Sequence, residues 1–393
     1  MVARPGHKQT EVGVIPQDWE VARLGAVCSM KSGESITSAS IDEFSEYPCY
    51  GGNGLRGFTG RFTHDGRYAL VGRQGALCGN VLSVEGRLFA SEHAIVVTAL
   101  SRTDIRWLTF MLGAMRLNQY SESSAQPGLS VSKLLNLDVA CPPTQAEQET
   151  IGQALCDMDA LIESLERLLS KSQEIKQGVM QELLTGRKRL PGFSGNWEEK
   201  RLDELGQWTG GMTPSMRNSE YWEPGTVPWI SSGDVKRVRL VTTAFWISEH
   251  AVRQGATTLL PPQSIVVVTR SGILRKFLPV AMNMIPMAIN QDIKALLPNE
   301  HGLPEYLLHS LTFNGDRILA RCLKSGTTVE SIEFSWLKAL TIPMPPIHEQ
   351  NVIAGVLSDM DAEIASLDDR LTKARQLKQG MMQELLTGRI RLV

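Results

Sequence analysis

The chain has 393 residues, 42% of them hydrophobic and 21% charged, with a formal net charge of −2; this is too long for one ordinary domain, and the balance is that of folded chains rather than disordered ones. No apolar run approaches the ~18 to 20 residues that cross a bilayer, and the start MVARPGHKQTEVG lacks the apolar stretch of a signal peptide, so a cytoplasmic protein with no membrane partner is expected. Six cysteines without a C-x-x-C pair disfavour a zinc site or a disulfide framework, and the absence of a basic excess means that any contact with nucleic acid rests on local patches.

In chain order, residues 1–143 form a first block with 13 basic and 13 acidic residues. Its short apolar runs, such as Tyr68 to Gly72 and Ala94 to Thr98, read as strands among Gly-rich turns. Residues 144–190 follow as one long helix. It is announced by Pro142 and Pro143 and closed by Thr185-Gly186, the expected punctuation. Ile151, Leu155, Met158, Ile162, Leu165 and Leu169 alternate in steps of four and three and so share one face, which Ile175, Val179 and Leu183 continue. At ~1.5 Å per residue an unbroken helix to Thr185 is on the order of 58 Å long, more than a compact domain needs.

Residues 191–346 form a second mixed block, in which Ile265 to Thr269 reads as a strand, and 347–393 form a second long helix. The second helix repeats the first at a shift of 202 residues: Glu147 to Leu190 and Glu349 to Leu392 share 26 of 44 positions without a gap. Similarity of this order is expected of a duplicated module. Such a stripe also suits one helix of a bundle or of a homodimeric coiled coil. Two matched stripes in one chain favour each other as partners, and the expected fold is α+β: two mixed α/β domains separated by two long helices that pair as an antiparallel, pseudo-twofold coiled coil.

The repeated KQGxMQELLTGRxRL, with PP, EQ (Glu147-Gln148; Glu349-Gln350) and DMDA (Asp157 to Ala160; Asp359 to Ala362) before it, resembles the specificity (S) subunit of Type I restriction-modification systems. The likeness covers the whole chain. YPCYGGNGLRGF, LVGRQGALCGN, GMTPS, VPWISSGDV and VVVTRSG resemble segments of that family's target recognition domains, and the helices resemble its conserved spacers. The resemblance implies a non-catalytic subunit that reads a bipartite double-stranded DNA target, one half per recognition domain. It also implies that two methyltransferase (M) subunits are held along the spacers and that restriction (R) subunits join them. No cofactor is then expected in this chain; S-adenosylmethionine belongs to M, ATP and Mg to R. A coiled-coil scaffold without DNA contacts and a self-sufficient DNA-modifying enzyme remain the alternatives.

Base edges are read by Arg, Lys, Asn and Gln on loops at strand ends. Arg73 and Gln74 in one block and Arg270 and Ser271 in the other follow probable strands in Gly-bearing turns, and Arg73 is paired with Arg270 on that ground. Lys236, Arg237, Arg239, Arg275 and Lys276 are candidate phosphate contacts; Lys31, Asn53, Arg56 and Arg61 are placed in Gly-rich loops, and Gln126 and Thr327 in matching loops before the closing strands. Gly52-x-Gly54-x-x-Gly57 lacks the strand-turn-helix setting of a dinucleotide site. His93 and His348, each beside a glutamate, have no nucleophile or ligand spacing around them and are expected to be structural. For partner binding the candidates are Lys176, Gln177, Gly178, Met180, Leu183 and Leu184, repeated as Lys378, Gln379, Gly380, Met382, Leu385 and Leu386. Glycine inside a helix costs about 1 kcal/mol against alanine, so close approach of another element is expected at Gly178 and Gly380.

Overall fold

The computed structural model describes residues 6–75, 77–121, 128–324 and 328–392. The two long helices run Gln145–Leu183 and Ile347–Leu385, 39 residues each. Thr144 opens the first, its Oγ1 accepting from the Glu147 N–H at 3.2 Å. Regular helix stops two residues before the expected Thr-Gly, and Gly186 and Gly388, both at φ +68°, turn the chain out in the left-handed region.

The chain folds as two compact units, 1–167 with 368–393 and 168–367. Each long helix therefore gives its N-terminal part to one unit and its C-terminal part to the other. Within the first unit Asp159 pairs with Lys378, Glu166 with Arg375 at 2.6 Å, and Glu147 with Arg391 at 2.7 Å. Ascending numbers on one helix meet descending numbers on the other, so the pairing is antiparallel. The second unit repeats this with Lys176–Asp361 and Arg189–Glu349, the same contacts with the copies exchanged.

The first unit's core joins Trp19, Trp107, Leu108 and Leu112 to Ile151 and Leu155 of one helix and Leu385 and Leu386 of the other; in the second unit Tyr306, Leu307 and Leu311 meet Ile353, Leu357, Met180, Leu183 and Leu184. The expected stripe thus faces inward, with one correction: Ile175 and Leu377 are half-exposed, because the face that enters the core turns to Met180 and Leu184 beyond them.

Six strands in the first unit lie in the order Cys28–Ser32, Ala94–Ala99, His64–Gly72, Val81–Ala90, Tyr47–Gly51, Gly54–Thr59. The second unit follows the same path with Gly206–Gly210, Ile293–Pro298, Ile265–Val268 and Val280–Asn283, extended by Arg239–Leu240. A separate sheet there holds Phe245–Ile247, Val227–Ile230, Met287–Ile289 and Thr258–Leu260. Small strand pairs close each unit: Glu20–Arg23 with Asp138–Cys141, and Glu198–Arg201 with Thr341–Met344. No helix among the described residues is long and apolar enough to cross a membrane.

The helix-ending glycines differ in their surroundings. A Cβ at Gly186 would rest 3.4 Å from the Trp197 ring, whereas at Gly388 it would fall 2.5 Å from Cγ of Pro16. Gly186→Ala is expected to cost about 1–2 kcal/mol through the left-handed backbone alone, and Gly388→Ala distinctly more, as read by urea unfolding of the two variants.

Candidate DNA interface

Main-chain hydrogen bonds align the two units residue by residue. Arg73 N–H donates to His93 O and Leu129 N–H to Arg73 O; Thr269 N–H donates to Asp292 O and Ile332 N–H to Thr269 O. Gln74 then bridges to Gly128 as Arg270 bridges to Ser331. The matched pairs are Arg73 with Thr269 and Gln74 with Arg270, which corrects by one residue the sequence-based pairing of Arg73 with Arg270. Burial is consistent with this match: Thr269 is buried, its Oγ1 donating to Asp292 O at 3.1 Å, and Arg73 is half-buried, while Gln74 and Arg270 are exposed. Gly33 and Gly211 mark the same place in both frames, since a Cβ there would lie 2.2 Å from Ala90 O and 1.9 Å from Ile289 O.

In the first unit the turn Gly52-Asn53 joins two strands of a hairpin, and a Cβ on Gly52 would sit 3.1 Å from both Gln74 O and His93 O. Glycine suits that approach, which brings the turn beside the backbone of Arg73, Gln74 and His93. The glycine-rich run is therefore a hairpin turn. Lys31 and Arg56 lie on strands rather than in loops, both exposed. Arg61 pairs with Glu34 at 2.9 Å and lies over the Phe89 ring. Gln126 and Thr327 fall outside the described residues.

In the second unit Lys236, Arg237 and Lys276 are exposed, and Ser271 caps the turn Gly272–Arg275 by accepting from Ile273 N–H. Arg275 is matched by Glu330, whose carboxyl it holds below the usual range. Arg239 corrects the expectation of a phosphate contact: it is half-buried and donates to Glu305 at 2.7 Å and to Ser358 on the second long helix at 3.1 Å, so it fixes the domain to the helix.

The repeated helix segments also divide. Lys176 and Lys378 are consumed by their aspartate partners, Lys378 also lying over the Phe110 ring. Met180, Leu183, Leu184, Leu385 and Leu386 are core residues and offer no surface to a partner. Gln177, Gly178 and Gln379 are exposed, and Gly380 and Met382 half-buried. Nothing in this chain lies within 4 Å of a Cβ at Gly178 or Gly380, so the close approach expected there is not made within the chain.

Residues not singled out from sequence do much of the fixing. Arg189 and Arg391 make two-pronged contacts to buried Glu349 and Glu147 at 2.6–2.7 Å, with Trp197 Nε1–H donating to Glu349 at 3.0 Å and Asp18 joining Arg391. Gln148 and Gln350 accept from the N–H of Asp104 and Leu303, where short helices begin. The signal was present: EQ and the final arginine recur in both copies, with opposite charge at positions that antiparallel pairing brings together.

Residues 16–177 and 194–375 match the family model described as Type I restriction modification DNA specificity domain. The chain is similar to the EcoR124I/EcoR124II specificity subunit of Escherichia coli (40% identity, 47% of this chain and 46% of that one) and to the EcoprrI specificity subunit of the same organism (44%, 36% of each). It thus spans less than half the length of these two relatives. With the MjaVIII specificity subunit of Methanocaldococcus jannaschii it shares 22% identity over 96% of this chain and 94% of that one. Its fold is similar to that of a Type I restriction-modification S subunit from M. genitalium, with TM-score 0.69, 14% identity and coverage of 93% and 96%.

His309 lies beside the Lys176–Asp361 pair, buried, with Nε2 3.2 Å from Ser358 Oγ and Nδ1 3.8 Å from Asp361. Burial lowers its pKa from 6.5 to about 4; Asp361 opposes this, and Lys176 and Arg239 reinforce it. Between these two values the unfolded chain holds a proton that the folded one lacks, so stability falls as pH drops through that window. His309→Gln is expected to flatten the decline, measured by urea unfolding across the window.

Proposed function

Because the chain belongs to the family of Type I restriction modification DNA specificity domains, we propose that it is the sequence-reading subunit of such a complex, each unit reading one half of a split double-stranded DNA target. The observation that carries this reading is one backbone frame built twice with different side chains at matched exposed positions, Gln74 against Arg270. A duplicated frame with altered tips suits two readers of unlike half-sites; it does not suit a scaffold without DNA contacts. In this reading the chain carries no catalysis and works in the cytoplasm. Two M subunits supply S-adenosylmethionine chemistry, and R subunits supply ATP- and Mg-dependent steps.

The long helices are the surface that holds the M subunits. Gln177 and its copy Gln379 both remain open, as does Gly178, and Leu161, Leu168 and Ile175 stand partly exposed one heptad apart on the first helix. An equal repeat suits two equal partners. The near-neutral charge of the recognition blocks fits weak binding by this chain alone, with the M subunits adding most phosphate contacts.

The test is to isolate the chain with its M subunits and map methylation on DNA. A split methylated motif from the complex and none from the chain alone is expected; a continuous motif, or methylation by the chain unaided, contradicts the reading. In the complex, Lys236→Ala with Arg237→Ala is expected to lower the salt slope of DNA binding by about one for each phosphate no longer engaged, with the motif unchanged. Binding titrations over a range of salt measure this.

A further inference from the structure

We infer that Gln74 and Arg270 are equivalent base-reading residues, one in each recognition domain, and that each selects a base pair at the corresponding place in its own half-site. This rests on the DNA-reading function proposed above and deepens it by naming the selecting position. The equivalence is geometric. Both residues bridge to the closing segment, at Gly128 and Ser331, directly after a residue locked by the same two main-chain bonds. The preceding strands, His64–Gly72 and Ile265–Val268, each lie between corresponding neighbours in their sheets. Both side chains are exposed.

Among the described residues neither side chain makes an ion pair or a hydrogen bond, whereas Arg61, Arg239 and Arg275 are each held by a glutamate. The chemistry at the shared position differs in the way that separates bases. A glutamine amide donates and accepts along the N6/N7 edge of adenine, while an arginine fork donates twice to O6 and N7 of guanine. The first unit is thereby assigned an A·T pair and the second a G·C pair at this position. Arg73 is not the matched residue, because it stands where Thr269 stands and is half-buried.

The experiment exchanges the two residues in the full complex of this chain with its M subunits, expressed without R subunits so that altered methylation exposes no DNA to cleavage. Motifs are read by sequencing methylated genomic DNA. Gln74→Arg is expected to change one base pair of one half of the split motif from A·T to G·C, leaving the other half intact. The original motif should be disfavoured by roughly 5- to 150-fold, the discrimination of one bidentate contact. Arg270→Gln is expected to make the reverse change in the other half. Should Gln74→Arg fail to assemble, Arg270→Gln decides alone. Variants that methylate the wild-type motif at the wild-type rate would overturn the assignment while leaving the split-target reading intact. A wild-type complex without a split motif would instead remove that reading.

Discussion

Antiparallel pairing of the two repeat copies is the constraint on which the rest of the structure depends. A helix of 39 residues with a narrow apolar stripe draws most of its stability from packing that stripe against a partner. Each copy finds its partner in the other, with Lys176 on Asp361 and Lys378 on Asp159 fixing the register. Buried Glu349 and Glu147 extend the same logic to the ends. An unpaired carboxylate in those positions would be costly, so Arg189 and Arg391 must return to them, and each unit is closed by the chain that leaves a helix. Neither unit can form from one repeat alone.

That constraint separates what must stay constant from what is free to change. Lysine, the second aspartate of DMDA, the EQ pair and the last arginine all serve pairing or closure, and they recur identically. Strand-end positions such as Gln74 and Arg270 carry no part of the core and differ between copies. On the proposed reading, a duplicated chain can therefore alter one reading head without disturbing the residues that pair the helices. On that reading, recognition and assembly fall to different residues of one fold.

Much of this was legible in the sequence, for physical reasons. Helical periodicity, proline before and glycine after, and a repeat at constant shift exposed the long helices and their pairing. Strands rich in Val and Ile were visible as short apolar runs. Register was harder: Arg73 and Arg270 look equivalent along the sequence, but the second arginine stands one residue further past the end of its strand, and only main-chain bonds reveal that Thr269 matches Arg73. Charge roles were also hidden, because Arg239 reads like a surface cation until Glu305 and Ser358 are seen beside it. The open space around Gly178 and Gly380 was hidden too, because an open glycine and a crowded one look alike in a sequence.

The most direct test of the central claim is zero-length carbodiimide cross-linking of the native chain, mixed with an isotope-labelled copy and read by mass spectrometry. Antiparallel pairing within one chain predicts amide links from Lys176 to Asp361 and from Lys378 to Asp159, with both peptides of each link from the same isotopic pool. Links of these lysines only to carboxylates of their own helix, or links joining labelled to unlabelled chains, would contradict it.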